Sequence, residues 1–320
     1  MIKRTTGYSP IIDGHADTLV RIIDEGGKFG TYCPQLHLDL PRLSEAGVDL
    51  QVMAICAGVR KAPYSWTQKV IRYWETEYQH LKEQVIWIRS QDDFERWEQE
   101  ERIGIILALE GLEPLEGELS RLEEFYELGI RMFSLTWNWE NPFAYGIYSP
   151  SDHGLTTLGR KSISLAEEMG MILDLSHLGR KSFIDLLEIA RQPVFVSHAN
   201  VFAIYPHIRN LEQEQIKMIA ATGGTIGLTF YPPFIGEGKV SCRAIIPHLE
   251  YILEQGGENC LALGSDFDGI ETTPTDIKDV TGLSFFLKTL EDEGFNGQII
   301  SKLAGGNLYR FFKNKFSETS

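Results

Sequence analysis

The sequence predicts an α/β fold, a closed (β/α)8 TIM-type barrel with a helical C-terminal extension. Two observations predict it. Short apolar runs rich in Ile, Val and Leu alternate with longer amphipathic stretches along the 320 residues, the pattern of buried parallel strands joined by crossover helices. The polar residues suited to metal chemistry fall directly after those runs, where a barrel places its active site. A doubly wound open sheet is the main competitor for the same alternation. No Ser/Pro-rich linker or charge block divides the chain, so residues 1–320 read as one domain.

Strands are expected at 11–17, 48–55, 103–110, 131–137, 171–177, 193–199, 225–230 and 261–267. Each is a run of β-branched and aliphatic residues too short for a helix of ordinary length. Helices are expected at 66–82, 119–128, 158–169, 181–190, 211–221 and 243–254, mostly in β-then-α order. In 211–221 the signals are local: Asn210 as N-cap, Gln213 three residues on, Ile216, Ile219 and Ala220 as the apolar stripe, and Gly223 as the stop. Three further stretches, 281–292, 297–303 and 306–313, read as a helical tail packing under the last repeat.

Composition narrows the class. With 43% hydrophobic and 23% charged residues the chain is neither disordered nor coiled-coil, and about three-quarters of its surface should be buried on folding. It needs no disulfide or metal merely to fold. The net charge of −15 repels polyphosphates and anionic lipid surfaces, so neither nucleic acid nor membrane partners are expected. The longest apolar runs, 52–59 and 103–109, fall far short of the ~20 residues of a membrane span. Residues 1–10 lack the basic and apolar pattern of a secretory signal. Cys33, Cys56, Cys242 and Cys260 form no CxxC pair and read as reduced thiols. A cytoplasmic protein is expected.

The chemistry-bearing residues are His15 and Asp17 after the first run, Glu110 after the third, His177 after the fifth, His198 after the sixth, and Asp266 with Asp268 after the eighth. Imidazole with carboxylate suits zinc or a similar divalent ion. The natural partition puts His15 and Asp17 on one ion and His177 and His198 on a second, with Glu110 bridging. Each residue has a plainer alternative: a lone His-x-Asp is a weak signal, either histidine could bond to backbone, and Glu110 could meet an arginine. The metal reading is preferred because all five alternatives would have to hold together at one end of a barrel. His37, His80, His153, His207 and His248 are expected to be surface or structural. Trp66, Trp74, Trp87 and Trp97 are expected to cover the barrel, and Trp137 and Trp139 to wall a pocket.

These residues resemble the membrane dipeptidase (renal dipeptidase) family of zinc peptidases, within the amidohydrolase-like barrels. The matching segments are Ile12-Asp13-Gly14-His15-Ala16-Asp17, Ala108-Leu109-Glu110-Gly111, Leu173-Asp174-Leu175-Ser176-His177, Val196-Ser197-His198-Ala199, Arg209-Asn210-Leu211 and Gly264-Ser265-Asp266-Phe267-Asp268-Gly269. Gly305-Gly306-Asn307-Leu308-Tyr309-Arg310 is similar to the family's C-terminal segment. The resemblance implies a dipeptidase with two zinc ions, or manganese or cobalt as substitutes, held by His15, Asp17, bridging Glu110, His177 and His198. It implies Asp266 as the acid/base that serves a zinc-bridging hydroxide, Arg209 as the partner of the substrate's terminal carboxylate, and Asp268 as a loop-organising carboxylate. A small peptide substrate, with an L- or a D-residue at its C-terminal position, and a homodimer are expected on the same ground.

One departure stands out. Renal-type members carry Leu-Thr-His after the fourth strand, where this chain has Leu135-Thr136-Trp137-Asn138. The indole of Trp137 or the amide of Asn138 is the expected substitute in substrate binding. The departure leaves open a binuclear amidohydrolase acting on N-acyl amino acids, lactones or cyclic amides; a catalytically silent metal-binding or interaction protein is the rival from another class, against which Asp266 and Arg209 are still present.

Overall fold

Nine parallel strands organise the computed structural model, which describes Tyr8 and residues 10–317. They are β1 Ile12–Ala16, β2 Leu50–Cys56, β3 Val85–Trp87, β4 Ile103–Glu110, β5 Ile130–Ser134, β6 Ile172–Asp174, β7 Phe195–Val196, β8 Thr225–Leu228 and β9 Leu261–Leu263. Neighbours run β2-β1-β9-β8-β7-β6-β5-β4, and β4 returns to β2 in a continuous register from Leu50↔Gly104 to Cys56↔Glu110. That pairing closes an eight-stranded barrel and excludes the open sheet. β3 is an addition beside the first residues of β4, Val85 opposite Ile103. The sequence reading missed it because a three-residue strand carries no periodicity.

Most expected helices stand within a few residues of their reading, among them Pro63–Leu81, Thr157–Glu168 and Arg180–Ile189. Thr18–Glu25, Leu40–Ala46 and Gln91–Gln99 are additional. Two of these start on caps present in the sequence: Asp39 accepts from the Arg42 N–H and Ser90 from the Asp93 N–H. The helix expected at 211–221 corrects the capping argument. It spans Gln213–Ala221 with Glu212 at its N-cap, and Gln215 Oε1 accepts from the Glu212 N–H at 2.9 Å. Asn210 instead pins a loop, its amide donating to the carbonyls of Tyr205 and Phe234 at 2.9 and 2.8 Å.

Six strands end earlier than expected, four of them by three or four residues. The chain leaves the ladder at Ser134, Asp174, Val196 and Leu263, so His177, His198 and Asp266 sit on the connections that follow. His177 and Asp266 hold left-handed backbone, φ 68° and 66°. A β-strand cannot contain such residues, which is why the apolar runs overstate the strands.

The tail does more than cover the last repeat. After Gly297–Ser301 and a π-turn at Lys302–Gly306, the helix Asn307–Ser317 crosses the N-terminal end of the barrel. It buries Leu308, Phe311, Phe312 and Phe316 against Ile12, Leu50, Val52, Ile106 and Phe195. Four such side chains remove roughly 6–12 kcal/mol worth of apolar surface from water, an upper bound given a compact unfolded chain. Gly305 permits the approach: a Cβ there would lie 2.3 Å from the Pro10 carbonyl oxygen. With this end plugged, chemistry is confined to the opposite mouth. No helix among the described residues is long and apolar enough to cross a membrane.

Candidate metal centre

The end of β1 places His15 on the ladder and Asp17 one residue beyond it, where Asp17 opens the helix Thr18–Glu25. Their side chains converge, His15 Nε2 lying 3.3 Å from Asp17 Oδ2. The next carboxylate around the ring comes from β4, whose last residue is Glu110; its Oε1 stands 3.9 Å from His15 Nε2, 2.7 Å from His177 Nε2 and 3.8 Å from His198 Nε2. Asp266 Oδ1 is 3.8 Å from His15 Nε2. All six side chains are buried. Three sets of potential ligand atoms lie mutually within 4.8 Å: His15, Asp17 and Glu110; Glu110, His177 and His198; and His15, His198 and Asp266. The first two share Glu110.

Both rear imidazoles have their Nδ1 protons engaged elsewhere. His177 Nδ1 lies 2.8 Å from Asn138 Oδ1, and His198 Nδ1 lies 2.8 Å from Ser197 Oγ. The two Nε2 lone pairs are then turned toward each other across 2.8 Å, an arrangement that two neutral rings disfavour without a cation between them. Both nitrogens of His15 and Oδ1 of Asp17 are buried without a hydrogen-bond partner. Buried polar atoms normally have partners, so the donor set fits divalent ions.

The electrostatics agree. Burial works against charge on His15, but Asp17, Glu110 and Asp266 outweigh it and hold the imidazole up at about 10. Burial, reinforced by Glu110, raises Asp17 to about 6. Burial raises Asp266 well above the usual carboxylate range, with Asp17 and Glu110 adding to it. Burial pushes His177 and His198 well down, aided by the positive Arg209 and His15. Three carboxylates in one buried site need positive charge, and divalent ions supply it compactly.

Above the cluster opens a cavity of about 740 Å³ lined by Asp17, Glu110, His177, His198, Asp266 and Arg209 among others. Arg209 is 6% exposed; its guanidinium reaches the His198 carbonyl at 3.4 Å and stands over the Phe234 ring. Trp137 lines the same wall, beside the His177 ring, and Asn138 adjoins it. Trp139 is 47% exposed, packs on Tyr148 and is not part of the lining. Asp268 accepts from Thr18 Oγ1 and from the His37 N–H, both at 2.6 Å, and so ties two loops together. His248 is buried between the Val201 N–H and the Ile235 carbonyl, a structural role.

His207 departs from its expected surface or structural role. It lines the cavity, and its Nδ1 accepts from the Arg209 N–H at 3.2 Å. Cys56, Tyr148, Tyr231 and Phe234 also line the cavity. Only Cys56 carried a readable signal, being the last residue of β2 and opposite Glu110. The others stand on loops, where no periodicity indicates direction.

A closed parallel barrel whose buried imidazoles and carboxylates converge at one mouth has an arrangement suited to metal-assisted hydrolysis. A profile of the membrane dipeptidase family, peptidase family M19, matches residues 2–319; the chain belongs to that family and is a hydrolase of the dipeptidase kind. It is similar to a Klebsiella pneumoniae protein known as the uncharacterized protein in pqqA 5'region, 32% identical over 240 residues, 72% of this chain and 88% of that one. Among solved structures it superposes on the dipeptidase AC, a metallopeptidase of family M19, with TM-score 0.86 at 27% identity, covering 96% of this chain and 98% of the other. It also superposes on a metallopeptidase from Rhodobacter sphaeroides liganded with a phosphinate mimic of the dipeptide L-Ala-D-Ala, with TM-score 0.84 at 26% identity, covering 98% and 100%.

Proposed function

We propose that the protein hydrolyses the amide bond of dipeptides with a free C-terminal carboxylate, a D-residue being accepted at that position. The reaction uses two zinc ions, replaceable by manganese or cobalt, with His15 and Asp17 holding one, His177 and His198 the other, and Glu110 shared. The observation that carries the substrate class is Arg209. It is buried beside the cluster with no carboxylate within ion-pair distance among the described residues, and burial lowers its pKa. A buried guanidinium without a counter-ion is a planar receptor for a carboxylate. The dipeptide mimic bound by the Rhodobacter sphaeroides relative supports the same class.

When bound, the ions supply Lewis acidity and a water that is deprotonated near neutral pH. The chain's own groups do the rest. Arg209 fixes the substrate's carboxylate, which limits the length of peptide that reaches the cluster. Trp137, beside His177, and Phe234, against Arg209, line the cavity shared by Arg209 and the cluster. Asp266, buried beside His15 at the cluster, takes the attacking water's proton and delivers it to the departing amine.

A second reading, hydrolysis of N-acyl amino acids, lactones or cyclic amides, is favoured by the wall after β5: Trp137 and Asn138 follow Leu135-Thr136 in place of an imidazole, and the oxygen of Asn138 is engaged by His177. Replacing Arg209 by Lys separates the readings. The variant should lose at least ~100-fold in kcat/KM on dipeptides and far less on the corresponding C-terminal amides. Equal losses on both would remove Arg209 as the carboxylate receptor.

A further inference from the structure

Behind His198 runs a chain of hydrogen bonds that ends on a buried carboxylate. Asp174, at the end of β6, accepts from the Ser176 and Ser197 N–H groups with Oδ1, at 3.0 and 2.9 Å. Its Oδ2 accepts from the Ser197 hydroxyl at 2.5 Å. A serine hydroxyl has one proton, and this one is committed to Asp174. Toward His198 Nδ1, 2.8 Å away, Ser197 Oγ is therefore an acceptor. Ser176 Oγ, 3.0 Å from Ser197 Oγ, donates to it and accepts from the His198 N–H at 3.2 Å. Asp174, Ser176, Ser197 and His198 are all buried, so water does not compete for these bonds.

We propose that Asp174 and Ser197 are positioning residues for the metal centre: through the hydroxyl of Ser197, Asp174 holds His198 as the tautomer whose Nε2 lone pair faces the cluster. The proposal rests on the reading of His198 as a metal ligand. A carboxylate next to a serine recurs across the barrel, where Asp13 on β1 accepts from Ser265 N–H and Oγ–H at 2.8 and 2.6 Å, directly before Asp266. There the pair fixes the backbone that carries Asp266, since no imidazole follows Ser265.

The logic predicts asymmetric effects. Ser197→Ala leaves the Nδ1 proton without an acceptor. Asp174→Asn offers Ser197 a donor in place of an acceptor, turns its hydroxyl toward His198, and favours the tautomer whose Nε2–H points into the cluster. Either change should weaken the binding of one of two metal equivalents by 10–100-fold. Ser197→Thr keeps the hydroxyl and should retain both.

The test is chelator competition on the zinc-loaded enzyme and these three variants, beside ¹⁵N spectra of histidine-labelled wild-type holoenzyme. Expected are one weakened equivalent in Ser197→Ala and Asp174→Asn, rescue in Ser197→Thr, and a protonated Nδ1 on His198. Wild-type affinity in Ser197→Ala, or a proton on Nε2 of His198 in the wild type, overturns the proposal. The spectrum decides even where a variant fails to fold. His198→Asn keeps the two ideas apart: retention of both metals there removes His198 as a ligand, whereas loss there beside an unaffected Ser197→Ala removes only the positioning role.

Discussion

His177 Nδ1 lies 2.8 Å from Asn138 Oδ1, and the bond joins the loop after β5 to the centre of the site. Because the same imidazole presents Nε2 to Glu110 at 2.7 Å, Asn138 sets the ring's tautomer and its aim. The residue that sequence reading assigned to substrate binding thus holds a ring of the cluster with its oxygen. Asn138→Ala should lower metal affinity by about tenfold, whereas Asn138→Asp, which keeps the acceptor, should not. Chelator competition measures both, and equal affinity in all three proteins would leave the bond without a function.

Asp266→Asn should leave metal content unchanged and lower kcat by ~10²–10⁴, because the amide keeps the side chain's shape but cannot carry the proton. Near-normal kcat with metal bound would remove Asp266 from proton transfer.

Gly269 stands where a side chain cannot. A Cβ there would lie 2.3 Å from Asp17 Oδ2 and 2.5 Å from Asp266 Oδ1. Gly269→Ala should therefore displace both carboxylates, with metal content falling below that of the wild type. The fold should survive, because the clash is with side-chain tips at the mouth; circular dichroism beside metal analysis distinguishes the two.

Metal loading should release protons. In the metal-free protein His15 is held up at about 10, against 6.5 for the free group, and Asp17 at about 6, against 3.8. Both bind protons more tightly folded than unfolded. Their contribution to stability is present at low pH and is lost as pH rises, through about 6 for Asp17 and about 10 for His15. Metal takes the same lone pairs, so its apparent affinity should rise with pH, about tenfold per unit for each proton displaced. Calorimetric titration of the apoprotein at pH 7.5 in two buffers of different ionisation enthalpy should show about one proton released from His15. No release would contradict the assignment of His15 as a ligand.

The barrel was legible because buried parallel strands write themselves as continuous apolar runs, and β4, with Glu110 closing Ile-Gly-Ile-Ile-Leu-Ala-Leu-Glu, shows it most clearly. The residues that converge at the mouth were legible for the same reason: each follows such a run. What stayed hidden depends on direction within loops. His207 and Tyr231 line the cavity from connections that carry no period, β3 is too short to have one, and the left-handed turns at His177 and Asp266 look like strand in an apolar string. The tail's role in plugging the whole barrel depends on Gly305 approaching the Pro10 carbonyl, a contact between opposite ends of the described chain that local pattern does not encode.

The most direct test of the central claim is metal analysis of the purified protein together with cleavage of a small dipeptide library, L-L and L-D pairs included, before and after chelation. The account predicts two equivalents of divalent metal and cleavage that chelation abolishes and added zinc restores. Two equivalents of metal with no dipeptide cleaved, while N-acyl amino acids or lactones are turned over, would contradict it and place the change from histidine to Trp137 at the centre of a different activity.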